Sequence, residues 1–133
     1  MASQDSTEIQ IHDGIQQLIN LRRVVSAFST HFLDEQNLSL NDLAIICELA
    51  TEGAMTASSL AKKTGMQNSY VSTKISSMLK QKMITEHTVS GNRRLRIIGL
   101  TPAGKNVYKQ IFAAFPEKYD EIRHQLDDVL EDK

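Results

Sequence analysis

Two short helix patterns joined by a glycine turn, and followed at once by residues of a different period, constrain the fold of this chain most. Thr56 can cap the first helix, Leu60 and Ala61 supply its apolar face, and Gly65 ends it. A second helix is predicted over residues 67–82, where apolar positions recur every three or four residues. This arrangement predicts a helix-turn-helix.

The segments on either side extend the predicted motif. Before it, Ser39 begins an apolar periodic run that Gly53 closes, which predicts a further helix. After it, residues 84–89 alternate with period two, residues 94–98 follow as a return strand, and Gly91-Asn92 between them has turn chemistry. A hairpin directly after a helix-turn-helix predicts a winged helix.

The two ends of the chain predict long helices. Apolar residues through 9–35 form a band that is wide for a single contact, which predicts burial against both the chain's own core and a second subunit. Thr101, as the cap, and a proline at the first helical position begin a helix over 102–115. Pro116 is expected to break or kink it, and a last acidic helix is predicted over 117–131.

The helix predicted over 67–82 has an unusual composition, with five Ser or Thr residues and no acidic residue. Ser and Thr are mediocre helix formers because their side chains compete for the backbone. With Val71, Ile75, Met78 and Leu79 on one face, the opposite face presents short donors and acceptors, which suits a helix lying in the DNA major groove. That face carries Asn68, Ser69, Ser72, Thr73, Ser76 and Lys80.

Basic and acidic residues are distributed unevenly along the chain, although its net charge is only −1. Residues 54–110 carry ten basic side chains and one acidic one, whereas residues 1–53 and 111–133 are both net acidic. A basic middle segment predicts a polyanion partner, and arginines at the hairpin tip suit insertion into a narrow minor groove. The predicted DNA-contacting residues are Asn68, Ser69, Tyr70, Ser72, Thr73, Lys74, Ser76, Arg93 and Arg94.

Over roughly residues 38–110 the sequence resembles the MarR family of winged helix-turn-helix bacterial transcription regulators. The stretch LSLNDLAIICELATEGAMTASSLAKKTGMQNSYVSTKISSMLKQKMI is similar to the family's segment through the recognition helix. The stretch NRRLRIIGLTPAG is similar to its wing, in which Asp-Arg-Arg, five spacer residues and Leu-Thr-x-x-Gly are usual. The departure is Asn92, which stands where the family has an aspartate that orients a wing arginine.

The resemblance implies a mainly α fold with a small β-hairpin wing, in a single domain over residues 1–133. Residues 38–100 would form the DNA-binding part, with recognition helix 67–82 and wing 90–94, while 9–35 and 102–131 would form the helical dimerisation part. It further implies a homodimer on double-stranded DNA, with a pseudo-palindromic operator. Many members release DNA when a small aromatic acid, an oxidant or a metal binds, so we expect a repressor released by a small effector.

The sequence favours neither a membrane or secreted location nor a redox, metal or cofactor site. No apolar run approaches the roughly 20 residues that span a bilayer, and the N-terminus lacks a signal-peptide pattern, so a cytoplasmic protein is expected. Cys47 lies among apolar residues and is predicted to be a small core residue rather than a redox sensor. His31 and Glu35 are one helical turn apart, but we predict no metal site and no cofactor.

Two further classes of function compete with a DNA-binding regulator. A winged helix that binds only protein partners needs an apolar or acidic recognition face, and the face predicted here is neither. An enzyme needs convergent titratable groups in a pocket, and residues 54–110 offer one carboxylate. We therefore predict a DNA-binding regulator that is not an enzyme, with the protein-interaction module as the alternative.

Overall fold

The computed structural model describes residues 2–89 and 91–131, apart from the side chains of residues 2–5, 31 and 92–94. The chain forms two compact units, of which one is Leu38–Ala114 and the other comprises the residues up to Asn37 and from Phe115 onwards. In chain order the elements are α1 (Ala2–Phe28), α2 (Leu40–Glu52), β1 (Met55–Thr56), α3 (Ala57–Thr64), α4 (Asn68–Lys80), β2 (Ile84–Val89), β3 (Asn92–Leu100) and α5 (Pro102–Leu130). The predicted fold class, mainly α with a small β-hairpin wing, is confirmed.

Helix α2 begins at the Ser39 cap that its sequence predicts, and Asp42 extends this cap to a capping box. The Ser39 hydroxyl accepts a hydrogen bond from the Asp42 backbone N–H at 3.1 Å, and the Asp42 carboxylate accepts one from the Ser39 N–H at 2.9 Å. The helix ends at Gly53, whose φ of 89° a side chain would disfavour. Its apolar face buries Ile45, Ile46 and Leu49.

The hairpin belongs to a three-stranded antiparallel sheet of order β1-β3-β2. The predicted hairpin is confirmed as β2 paired with β3, in a register that sets Ile84 opposite Leu100. Strand β1 has only two residues, and it pairs Met55 with Ile98 on the free side of β3. This strand was not predicted, since two residues carry no periodic signal and the pairing depends on a partner more than forty positions away.

The junction between the sheet and α5 is held by a compact set of backbone contacts. The Thr101 hydroxyl donates to the Lys82 carbonyl at 2.7 Å and accepts from the Gly104 N–H at 3.0 Å, so the predicted cap is confirmed. The Thr101 N–H donates to the Met83 carbonyl at 3.0 Å. A side chain at Gly104 would collide with that same Met83 carbonyl, which explains the glycine in Leu-Thr-x-x-Gly.

Helix α5 runs without interruption through Pro116, so the predicted break into two helices is wrong. A proline removes one backbone hydrogen bond, to the carbonyl of the fourth residue before it, at a cost of about 3 kcal/mol. Phe112, the residue that loses its partner, is 69% exposed, so water can reach this face of the helix. Strong helix formers flank the proline on both sides and support continuation.

The unit built from the two chain ends contains α1 and the last part of α5. The predicted helix 9–35 is present as α1, followed by a π-helical turn Ser29–Leu33 and a 3-10 turn Asp34–Gln36. Phe28, Phe32 and Phe115 form an aromatic cluster with ring centroids 5.1–6.4 Å apart. A second set of large apolar side chains in this unit is exposed, namely Ile9, Ile11, Ile15, Leu18, Ile19 and Leu130. Among the described residues, no helix has the length and apolar character needed to cross a membrane.

We predict that Gly104→Ala destabilises the protein by about 1–3 kcal/mol, because the added methyl group must displace the Met83 carbonyl. Gly99→Ala on β3 is the control, since its methyl group would meet Ala54 and Thr85 at an ordinary contact distance of 3.5 Å. The control should lower stability less than Gly104→Ala does. Urea unfolding of both variants measures the difference, and equal stabilities would contradict the proposed contact.

Candidate nucleic-acid interface

The helix-turn-helix is formed by α3, a tight turn and α4. The Thr56 hydroxyl caps α3 by accepting from the Ser59 N–H at 3.0 Å. Gly65 ends the helix in the left-handed conformation with φ of 73°, and the Met66 N–H still reaches the Ala61 carbonyl at 3.0 Å. The turn therefore reverses the chain within a few residues, and α4 packs against α3.

Helix α4 presents two faces of different chemistry, as its sequence predicts. Val71, Ile75 and Met78 are buried, and Leu79 is half-buried beside them. The predicted outer face is exposed at every position that was named for it, which are Asn68, Ser69, Ser72, Thr73, Ser76 and Lys80. The Thr73 hydroxyl donates to the Ser69 carbonyl at 3.1 Å, which orients its oxygen and leaves lone pairs available to an outside donor.

The energetic cost of this helix composition is small beside the burial of its inner face. Five Ser or Thr residues cost roughly 0.5 kcal/mol each relative to alanine. Burial of Val71, Ile75 and Met78 contributes about 1.5–3 kcal/mol each. The packed face thus holds the helix in place. The stability of the helix therefore does not restrict which side chains the outer face carries.

Two predicted site residues on one flank of α4 are engaged with the start of α2. The Asn41 amide donates to the Tyr70 hydroxyl at 2.9 Å. The Lys74 ammonium forms an ion pair with Asp42 at 2.9 Å and lies 5.8 Å from the centroid of the Tyr70 ring. The Lys74 side chain is half-buried, unlike the central positions of the outer face. The hydrogen bond that Lys74 donates to Asp42 raises the pKa of Lys74 above its ordinary value of 10.5, against an opposing effect of burial.

The wing is the outer part of the β2–β3 hairpin. Gly91 adopts φ of 82°, and the register shifts between Thr88 and Val89, which marks a bulge next to the turn. Arg96 forms an ion pair with Glu86 at 3.0 Å, so the acidic residue of the basic segment is paired. Ser90 and the side chains of Asn92, Arg93 and Arg94 lie outside the described residues, and their predicted contacts stay predictions.

Cys47 is half-buried rather than fully buried, which differs from the predicted core position. It lies close to Tyr108, whose pKa is raised by burial and further by the neighbouring thiol. In the same unit a cavity of about 570 Å³ is lined by polar and apolar groups that include Thr85, His87, Lys105 and Lys109. Among the described residues, no group of His, Cys, Asp and Glu side chains is arranged to hold a metal ion, and His31, named as a candidate ligand, has its side chain outside them.

Solved structures of transcriptional regulators superpose on most of the chain. A MarR family regulator from Neisseria meningitidis is 26% identical, with a TM-score of 0.63 over 87% of this chain and 80% of that chain. A MarR variant from E. coli complexed with operator DNA is 11% identical, with a TM-score of 0.75 over 85% and 81% of the two chains. BpsR from Bordetella bronchiseptica is 18% identical, with a TM-score of 0.73 over 82% of each chain.

The chain has the MarR fold. No protein-family model matches the sequence, and no curated protein matches it. The resemblance predicted from the wing and recognition-helix motifs is therefore confirmed by the three-dimensional structure. Low identity with high structural similarity is expected when patterns of burial, caps and turns are retained while the surface diverges.

Within the MarR fold, the contacts of Asn41 and Asp42 with α4 were missed by the sequence reasoning. Asp42 is the third helical residue after Ser39 and completes its capping box, but its ion pair joins residues 32 positions apart. An acidic residue near the start of one helix and a lysine on the flank of the second helix after it supply a weak signal. Only the approach of the first turn of α2 to the flank of α4 in the folded chain makes the pair specific.

We predict that the Lys74 side chain titrates above pH 10.5 and that Asp42→Asn lowers its pKa towards that value. Because the pKa is raised in the folded state, the stability that the charge of Lys74 contributes is not reduced by deprotonation of the lysine below its ordinary pKa of 10.5. It is lost as the pH rises through the folded-state pKa. NMR titration of the lysine side chain measures the shift, with Glu52→Gln at the far end of α2 as the control. A Lys74 pKa unaffected by Asp42→Asn would contradict this account.

Proposed function

We propose that this protein is a sequence-specific regulator of transcription that binds double-stranded DNA. The observation that carries the proposal is the exposed, hydroxyl-rich and acid-free face of α4, presented directly after the tight turn of a helix-turn-helix. Short hydroxyl and amide groups can hydrogen-bond base edges and phosphates, and the lack of carboxylates avoids repulsion at short range. The MarR fold, shared with regulators such as the E. coli protein complexed with operator DNA, supports this assignment.

The proposed binding mode places α4 in the major groove and wing 90–94 in the minor groove. Asn68, Ser69 and Ser72 lie early on the outer face, where a recognition helix contacts base edges. Thr73 and Ser76 extend the same surface. Arg93 and Arg94 are proposed to reach the minor groove or its phosphates, since arginine is attracted to the negative potential of a narrow groove.

A homodimer is proposed as the binding species. The exposed apolar residues of α1 and the end of α5 form a surface that a monomer would leave in water. In a dimer with two-fold symmetry, each copy would cover this apolar surface of the other copy. Two recognition helices in such a dimer would read a pseudo-palindromic operator with half-sites about one helical turn apart.

Regulation by a small effector in the cytoplasm is the finer part of the proposal. The DNA binding of BpsR is regulated by 6-hydroxynicotinic acid. In this chain the cavity of about 570 Å³ has the size for a small aromatic acid, and Lys105 and Lys109 could neutralise a carboxylate. We therefore propose a repressor that a small organic anion releases from its operator.

The alternative, a winged helix that binds only proteins, is separated from this proposal by DNA binding itself. Random duplex DNA is incubated with the protein, and bound fragments are selected and sequenced. A pseudo-palindromic motif is expected. Gel-shift assays at two salt concentrations then measure how far affinity depends on phosphate contacts. Absence of binding at low salt would favour the interaction module.

We predict that Thr73→Ala and Ser69→Ala weaken binding to the selected site by about 1–3 kcal/mol each, and weaken binding to random DNA less. Thr51→Ala is the matched control, because the Thr51 hydroxyl makes the same bond to the carbonyl four residues earlier, at 2.8 Å, on α2. Fluorescence anisotropy gives the affinities. If Thr73→Ala lowers both affinities equally, Thr73 contacts phosphate instead of a base.

We predict that Leu18→Glu disrupts the dimer, since this side chain is 68% exposed in the isolated chain. Loss of two leucine contacts across a symmetric interface should weaken dimerisation on the order of 100-fold or more. Gln16→Glu adds the same charge at an exposed polar position of α1 and should retain the dimer. Analytical ultracentrifugation at micromolar concentration distinguishes them. A tight dimer of Leu18→Glu would place the interface elsewhere.

A further inference from the structure

One carboxylate at the start of α2 makes contacts in two directions. One Asp42 oxygen accepts from the Ser39 N–H at 2.9 Å and completes the capping box. The other lies 2.9 Å from the Lys74 ammonium on the flank of α4. Both carboxylate oxygens of Asp42 therefore have a partner. The capping box of α2 holds the Asp42 side chain in place independently of its ion pair with Lys74.

The ion pair is partly shielded from water. The Lys74 side chain is 24% exposed and that of Asp42 is 15% exposed. A pair held at this depth is screened by salt less than one between two extended surface side chains. The Tyr70 ring lies 5.8 Å from the ammonium, and the Tyr70 hydroxyl is itself held by the Asn41 amide. Two neighbouring residues of α2 thus hold two residues of α4.

We propose that Asp42 is a positioning residue that raises the sequence specificity of DNA binding, by withholding the charge of Lys74 from phosphate and by fixing the flank of α4 against α2. This inference rests on the proposed DNA-binding function. It assigns to Asp42 a part in recognition although Asp42 lies outside the recognition helix and carries the same sign of charge as DNA.

Non-specific and specific binding to DNA make different demands on the protein. A lysine that pairs with phosphate adds affinity for every sequence, and it steepens the dependence of log K on log salt by about 0.9. At physiological salt, one such contact is worth roughly a fivefold gain in affinity. Base reading by neutral hydroxyl groups such as those of Ser69 and Thr73 requires instead that the helix be held in one orientation. Pairing Lys74 with Asp42 suppresses the contact of the lysine with phosphate. It also helps to hold α4 in the one orientation that base reading requires.

The test is Asp42→Asn, measured on the selected operator and on random duplex DNA over a series of salt concentrations. The asparagine side chain can still accept from the Ser39 N–H, so the helix cap is retained while the charge is lost. For a dimer, the salt slope on random DNA should steepen by up to about 2, and affinity for it should rise. Affinity for the selected site should rise less or fall, so the specificity ratio should drop about fivefold or more.

Two controls distinguish the release of Lys74 from its ion pair from the mere loss of one negative charge on the protein. Glu52→Gln removes the same charge from the far end of α2 at an exposed position. It should change the salt slope less than Asp42→Asn does. In a double-mutant cycle, Asp42→Asn should steepen the dependence of log K on log salt when Lys74 is present. In a Lys74→Gln background, Asp42→Asn should leave this dependence unchanged. Equal effects of Glu52→Gln and Asp42→Asn, or a steepening that survives Lys74→Gln, would overturn the proposal.

Circular dichroism and urea unfolding establish that each variant is folded. If Asp42→Asn fails to fold, Asp42→Gln replaces it, since glutamine also serves at this position of a capping box. A wild-type protein that binds no DNA would refute the proposed function as a whole. A wild-type protein that binds a palindromic site, with a specificity ratio unchanged in Asp42→Asn, would refute only the role of Asp42.

Discussion

The close approach of Gly104 to the Met83 carbonyl determines how the helix-turn-helix, the wing and the final helix meet. Met83 directly precedes strand β2, and Gly104 lies in the first turn of α5. Thr101, which follows the last strand, binds the carbonyl of Lys82 and the N–H of Gly104. Three elements therefore converge on a few backbone atoms, where a single methyl group is too large. Lys82 adopts a left-handed φ of 61°, which turns the chain sharply from α4 towards β2.

The outer surface of α4 follows from this rigid setting. Because the inner face is fixed by buried apolar contacts, the outer residues need not contribute to stability. Their composition can then serve contacts that lie outside the protein. Serine and threonine have short side chains that lose little entropy when they bind, so their positions are set by the backbone. A rigid helix face on which neutral hydroxyl and amide groups predominate favours discrimination between partners over strong attraction to all of them.

The sequence predicted the features that are encoded within a few residues. Ser39, Thr56 and Thr101 act as caps, and Gly65 ends its helix, because each of these roles depends on local hydrogen bonds or local backbone geometry. The alternation of β2 and the two faces of α4 were also visible as periodicity.

What the sequence could not predict depends on neighbours distant in the chain. Pro116 reads locally as a helix breaker, yet its helix of 29 residues continues, since the residue whose carbonyl loses its partner, Phe112, is exposed to water. The pairing of Lys74 with Asp42 requires α2 and α4 to be adjacent. Within the candidate site, the outer face was therefore predictable, whereas the flank that is tied to α2 was not.

Strand β1 has a mechanical consequence for the wing. Its two residues pair only with Ile97 and Ile98, so the third strand supports the base of the hairpin and stops short of residues 92–96. Beyond that point the hairpin is a two-stranded ribbon, which twists more strongly than a wider sheet and has little stability of its own. The base is held by buried Ile84 and Ile98, while the ribbon can bend and twist at low cost. In the proposed DNA complex, such a ribbon would adapt its curvature to grooves of different width while the helices at its base keep their positions.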